Sequence, residues 1–323
     1  MVRDGAMCLG NRILDSLFRR EVGAVAAASL AMLAGVAHAD GGNLTQPATW
    51  LDWTFDPVLA ANLALGGWLY FAGARRLIHE SRTWRSASRS RTVAFAVAWA
   101  TLILALQSPL DAMSEQLASA HMVQHMLIMT IAAPAFVISQ PGRVWLAALT
   151  HRSQETIRTA TGRISPVLRA SRDPCLAFAL FAAATWTWHF PPLYEGALVR
   201  PVLHDLQHLT FFGAAFLFWR ALLDPVAQRR VHPFLGILLL FATTLHTTLL
   251  SVLMTIAPQP WYATYLERTA MWGWTASEDQ RLAGLIMWMP ACVPYLLAAL
   301  SLLASVLKER GSAAVRPLPQ FDR

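Results

Sequence analysis

The sequence predicts an all-α polytopic membrane protein: a bundle of seven transmembrane helices after a cleavable export signal. Three observations carry that expectation. Hydrophobic residues make up 55% of the 323-residue chain and charged residues only 14%, against roughly 25% charged in a soluble domain. A chain so poor in charge cannot cover a globular surface with polar groups, so much of its surface must face lipid. Seven long apolar segments follow the amino-terminal region, and the arginines cluster between alternate ones.

The first element is the signal. Arg12, Arg19 and Arg20 precede an apolar run from Val22 to Val36, then Ala37-His38-Ala39. A basic stretch, a short apolar stretch and an A-x-A site describe a secretory signal peptide, and the run is short of the about 20 residues a spanning helix needs. The expected organisation is a signal over 1–39, a short periplasmic segment over 40–56, a membrane domain over 57–307 and a flexible cytoplasmic tail over 308–323.

The spans are expected near 57–74, 92–110, 118–139, 174–190, 202–223, 234–257 and 282–307. They lack period-two alternation, and in lipid every backbone group must be paired internally, so they are read as helices. Arginine placement orients them. Arg75, Arg76, Arg82, Arg85, Arg89 and Arg91 follow the first span, and Arg143, Arg152, Arg158, Arg163, Arg169 and Arg172 follow the third. Arg229 and Arg230 follow the fifth; Lys308, Arg310, Arg316 and Arg323 follow the seventh. The alternate loops carry only Arg200, Arg268 and Arg281. With seven spans every basic cluster lies on one side, which puts the amino end outside and the carboxyl end in the cytoplasm. The net charge of +7 is therefore a property of cytoplasmic loops at a lipid bilayer, and nucleic acid is not the expected partner. Trp50, Trp53, Trp186, Trp188, Trp261, Tyr262, Tyr265, Trp272 and Trp274 fall at the expected outer boundary, where amphipathic rings prefer to sit. Cys8, Cys175 and Cys292 form no CxxC pair, so neither a disulfide framework nor a thiolate metal site is indicated.

Ionisable residues inside spans are costly and usually functional. The third span begins with His121-Met122-Val123-Gln124-His125, and the fifth holds His204-Asp205-Leu206-Gln207-His208. Histidines at i and i+4 share one helix face, about 6 Å apart along the axis. Such a pair can ligate one metal ion. Both spans run from outside to inside, so both pairs lie in the outer third of the bilayer. His189 ends the fourth span at that level and Asp279 opens the seventh there. His246 lies mid-span in the sixth and is a weaker candidate; an interhelical hydrogen bond explains it equally well. Met122 and Met126 are weaker candidates too. Imidazole with thioether favours Cu(I), but methionine in an apolar helix is more often packing. Asp205 reads either as an acceptor orienting an imidazole or as a plain surface acid.

Several chemistries compete. Copper handling at the outer face suits the His and Met donors. A b-type cytochrome or quinone-linked redox protein would use one histidine from each of two facing helices on haem b; the i, i+4 spacing argues against two stacked haems and leaves a single haem open. A copper transporter would also place histidines in spans. No G-x-S-x-G or H-E-x-x-H motif appears, so a hydrolase is disfavoured and no enzyme activity is expected.

The same residues carry a family resemblance. His121-Met122-Val123-Gln124-His125 with Ala133-Pro134, Trp188-His189-Phe190-Pro191-Pro192-Leu193-Tyr194, His204-Asp205-Leu206-Gln207-His208 with Phe218-Trp219, and Asp279-Gln280 with Gly284-Leu285-Ile286-Met287-Trp288 and Pro290 occur in order on matching spans. Together they resemble the multi-spanning CtaG family, the caa(3)-type cytochrome c oxidase assembly factors, from about Trp53 to the end of the seventh span. Arg281 and Ala283 stand where that family tends to have Gln and Gly, and Ala291 where Gly is frequent. The resemblance implies a seven-helix protein of the bacterial inner membrane that helps mature haem-copper oxidase. It implies copper insertion into oxidase subunit I, supplied by a periplasmic copper donor, with His121, His125, His189, His204, His208 and Asp279 as the residues carried over. The single-span periplasmic copper chaperone that shares the family name is not resembled.

Overall fold

The computed structural model describes residues 46–163, 172–224 and 232–314. The expected signal over 1–39 lies outside them. Every regular element among the described residues is helical. In chain order these are α1 (Pro57–Glu80), α2 (Arg82–Leu106), α3 (Pro109–Gln116), α4 (Ala118–Met126), a π-helical turn (Leu127–Ala132), α5 (Ala133–Ser139), α6 (Pro141–Ala148) and α7 (His151–Arg163). They continue with α8 (Pro174–His189), α9 (Pro191–Val199), α10 (Pro201–Leu223), α11 (Pro233–Ile256), the single turn α12 (Tyr265–Arg268), a 3₁₀ turn (Thr269–Trp272) and α13 (Ala276–Ala314).

Proline opens α1, α3, α6, α8, α9, α10 and α11. The first helical position has no intrahelical use for an N–H, so proline's fixed φ costs nothing there. Side chains cap the remaining amide donors. Asp56 accepts from the amides of Val58 and Leu59, and Asp173 from those of Cys175 and Leu176. α13 opens with a reciprocal cap: Thr275 Oγ1 accepts from the Glu278 amide, and Glu278 accepts from the Thr275 amide. It therefore begins six residues before the expected apolar boundary at 282, and it continues through Pro290 and Pro294 to Ala314. α2 likewise starts earlier than expected, because Ser81 accepts from the Trp84 amide and starts the helix inside the arginine-rich stretch.

Six helices are long and apolar enough to cross a membrane: Pro57–Glu80, Trp84–Leu106, Ala118–Ser139, Pro201–Leu223, Pro233–Ile256 and Ala276–Lys308. The fourth expected span forms α8, whose 16 residues reach about 24 Å. α8 runs antiparallel beside α10: Phe181 stacks on Phe218 at 5.3 Å, and the Trp188 indole donates to Thr210 Oγ1 at 2.6 Å.

The α4–π–α5 span is the most buried of the six. Its α4 part packs on α13, its π turn on α2 and α10, and α5 on the same two helices. The π turn frees a carbonyl of the helical ladder, and the buried Trp219 indole donates to Met129 O at 2.8 Å. Met122, Met126 and Met129 are buried in the central core with Phe136, Phe218 and Trp219. Outward faces are apolar as well. Leu238, Phe241, Leu245, Leu249, Val252 and Ile256 are exposed along one stripe of α11, as a lipid-facing helix requires.

Candidate functional site

The site lies where α4, α8, α9 and α10 meet, at the end of the bundle carrying the 46–56 segment and the 257–275 connection. α4 places His121 and His125 one turn apart, with ring centres 4.2 Å apart. α10 places His204 and His208 likewise, at 4.3 Å. The two helices run in the same direction, so the pairs face each other in register: His121 to His204 at 5.6 Å and His125 to His208 at 5.5 Å. His189, the last residue of α8, closes the group 6.4 Å from His125. Five imidazoles from three helices thus occupy one compact volume.

That volume is dry. His121 and His125 are fully buried, and His189 and His208 are 2% and 8% exposed. Phe211 lies 4.6 Å from the His125 ring and Tyr194 4.9 Å from the His121 ring. Both nitrogens of His121 and His125, and Nε2 of His189, His204 and His208, are buried without a hydrogen-bond partner. Leaving a buried polar atom unpaired costs about 1–3 kcal/mol, so this concentration demands an explanation other than packing. Nδ1 of His189 is engaged with the Thr185 carbonyl at 2.6 Å. A carbonyl only accepts, so that nitrogen bears the proton and Nε2 presents its lone pair to the cluster.

Asp279 does something the sequence did not disclose. It comes from α13 and caps α4 in trans: it accepts from the amides of Ala118 at 2.6 Å and Ser119 at 3.1 Å, and from Ser119 Oγ. Leu117, the local N-cap, offers no side-chain acceptor. Asp279 therefore holds the amino end of the helix that carries His121 and His125. His246 is elsewhere, half-buried on α11 with its ring 5.7 Å from Phe178 and 6.4 Å from Phe181; it does not join the five. Met122 and Met126 pack into the core.

Sequence reasoning passed over four neighbours. Gln124 donates to Ala105 O and to Asp111 Oδ1, each at 2.7 Å, and so clamps α4 against α2 and α3. Gln207 is fully buried between His204 and His208 in sequence, and its amide has no partner. Tyr194 stacks on Tyr262 at 3.8 Å, and its hydroxyl lies 3.4 Å from that of Tyr265. Tyr262 donates to His189 O and Tyr265 to Ser114 O. Burial raises all three phenols, so they stay protonated donors. Asp111, beside Gln124, is pushed up to about 6 by burial. The H-x-x-Q-H repeat on two spans was the one signal available for the glutamines.

Among the described residues no three His, Cys, Asp or Glu side chains are arranged to hold a metal ion as they stand. The five rings nevertheless fit one. An imidazole nitrogen binds about 2.0 Å from a metal, which puts each ring centre roughly 3 Å away and two ligand rings up to about 6 Å apart. The observed separations fall within that range, so side-chain rotation alone brings the unpaired nitrogens together.

The fold and the cluster define a polytopic helical membrane protein with a buried imidazole site at one end. A family model described as cytochrome c oxidase caa3 assembly factor (Caa3_CtaG) matches residues 68–309, and the chain belongs to that family. It is also similar to two mycobacterial proteins, both named uncharacterized: Mb0105 of Mycobacterium bovis and MT0111 of Mycobacterium tuberculosis. Each is 24% identical over 287 residues, covering 82% of this chain. The chain spans 40% of the length of these relatives. No solved structure matches.

Proposed function

We propose that this protein assists assembly of a haem-copper cytochrome c oxidase by holding Cu(I) at the five-histidine cluster and passing it to oxidase subunit I within the bilayer. The observation that carries the reading is the set of unpaired, buried imidazole nitrogens on α4, α8 and α10. Copper is cargo here, received from a periplasmic donor. Nitrogen donors in a dry site with no carboxylate among the five suit Cu(I) better than a harder ion. Asp279 serves as a positioning residue, because its carboxylate is occupied by the start of α4. Protonation competes with the metal for each imidazole, so loading falls as the medium is acidified.

The remaining topology belongs to the same reading. α8 acts as a seventh crossing, since its last residue joins the cluster while Phe181 lies deep beside Phe218. Seven crossings put the arginine-rich loops in the cytoplasm and the cluster near the periplasmic face of a bacterial inner membrane. A single haem b between the helices is the weaker reading. His121 and His204 face each other, but His125, His208 and Tyr194 fill the plane a porphyrin would need.

The test is Cu(I) content of the detergent-purified protein, by competition with a chromophoric chelator, for the wild type and a His121→Ala/His125→Ala variant. The wild type is expected to retain ~1 Cu(I) per chain and the variant almost none. Equal copper in the two sinks the ligand assignment. Oxidase activity in a deletion strain, with and without added copper, tests the assembly role; an unchanged oxidase removes it.

A further inference from the structure

The five histidines are not equivalent. His204 is the one with substantial exposure; exposure falls to 8% at His208, 2% at His189 and nothing at His121 and His125. His204 straddles the boundary, since its Nε2 is buried and unpaired while its ring is partly reached from outside. Its neighbour Asp205 is exposed, and the charged groups that act on Asp205 are His204, Asp56 and Asp111. Asp56 arrives from the start of α1 and Asp111 from α3. Three carboxylates from three elements therefore gather where the one accessible imidazole opens onto the buried ones. The other approach is closed: Tyr194, stacked on Tyr262 and adjoining Tyr265, covers His121 and His189 on the loop side.

We propose that the cluster fills through His204: a soft monovalent metal cation is drawn to the Asp56–Asp111–Asp205 mouth, taken first by His204, and handed inward to His121 and His208 and then to His125 and His189. The ring separations, 4.3 to 6.4 Å at successive steps, allow each transfer by exchange of one nitrogen donor for the next, with no change of charge or oxidation state. The carboxylates raise the local cation concentration and are not themselves ligands of the held ion, because carboxylate oxygen suits harder ions. The inference rests on the metal-holding reading above.

Stopped-flow transfer of Cu(I) from a chromophoric chelator to the full-length protein in detergent tests it, together with the copper finally retained. His204→Ala is expected to slow loading roughly tenfold, and an Asp56→Asn/Asp111→Asn/Asp205→Asn variant by a similar factor, the gain expected of electrostatic steering. His189→Ala, at the inner end, is expected instead to speed loss of bound copper. Salt should slow the wild type and leave the triple variant nearly unaffected. Asp205→Asn alone, an exposed and conservative change, checks that slow loading is not misfolding: it should slow loading in a protein of unchanged melting temperature. Wild-type protein that retains no copper overturns the metal reading itself. Copper retained, with His204→Ala and Asp205→Asn both loading at the wild-type rate, overturns only the route.

Discussion

Two kinds of buried histidine occur in this bundle, and the contrast shows what makes a site. His246 and the pair His121 and His125 all sit on apolar helices with both ring nitrogens unpaired. His246 faces Phe178 and Phe181, and no other histidine ring adjoins it among the described residues. His121 and His125 face His204, His208 and His189. Burial and unpaired nitrogens are common to both regions; convergence is not. A lone imidazole among aromatic rings can contribute packing at a modest polar cost, whereas five together make a donor set.

The contrast can be broken most directly by substitution on each side. His125→Ala should remove nearly all retained copper, while His246→Phe should leave copper content unchanged and alter stability by less than about 1 kcal/mol. Copper loss in His246→Phe, measured by chelator competition, would place His246 in the site. A smaller effect is expected at the cap. Asp279→Ala takes away the acceptor of two α4 amides and should cost about 2 kcal/mol in thermal stability, with copper affinity weakened several-fold and not abolished. Complete loss of copper at full stability would make Asp279 a ligand.

The smallest effect concerns Asp111. Burial holds its carboxyl near 6, above its ordinary value, despite the Gln124 hydrogen bond. A folded value above the unfolded one means that the ionised side chain opposes folding above about pH 6, and the opposition fades as pH falls toward the unfolded carboxylate range near 4. Asp111→Asn should therefore be more heat-stable than the wild type at pH 7.5 by about 1–2 kcal/mol, with the gain gone at pH 4.5. A gain independent of pH would show that its charge carries no folding cost. An acid kept at such a cost is what a cation-gathering mouth requires.

Much of this arrangement was legible in residues taken singly. Apolar runs and arginine clusters located the long helices, and proline at first helical positions marked where many begin. The H-x-x-x-H spacing placed His121 with His125 and His204 with His208, because 3.6 residues per turn leaves no other outcome on a helix. His189 was legible by depth alone. Other features were not. The early starts of α2 and α13 depend on caps at Ser81 and at Thr275 with Glu278, which apolar counting does not weigh. The 16-residue α8 is shorter than its apolar run suggests, because Phe190 turns the chain into α9.

By itself, then, the sequence determined the helical class, the membrane-crossing character and the face on which each histidine pair lies, since these follow from composition and local periodicity. Only the tertiary structure decided that the two pairs face each other in register, that His246 stands apart, and that Asp279 grips the start of α4. Rotation of a helix about its own axis is set by what packs around it: Trp219 on the π turn, Gln124 on Asp111, and the tyrosines over His121. Those contacts join residues far apart in the chain, and no local pattern encodes them.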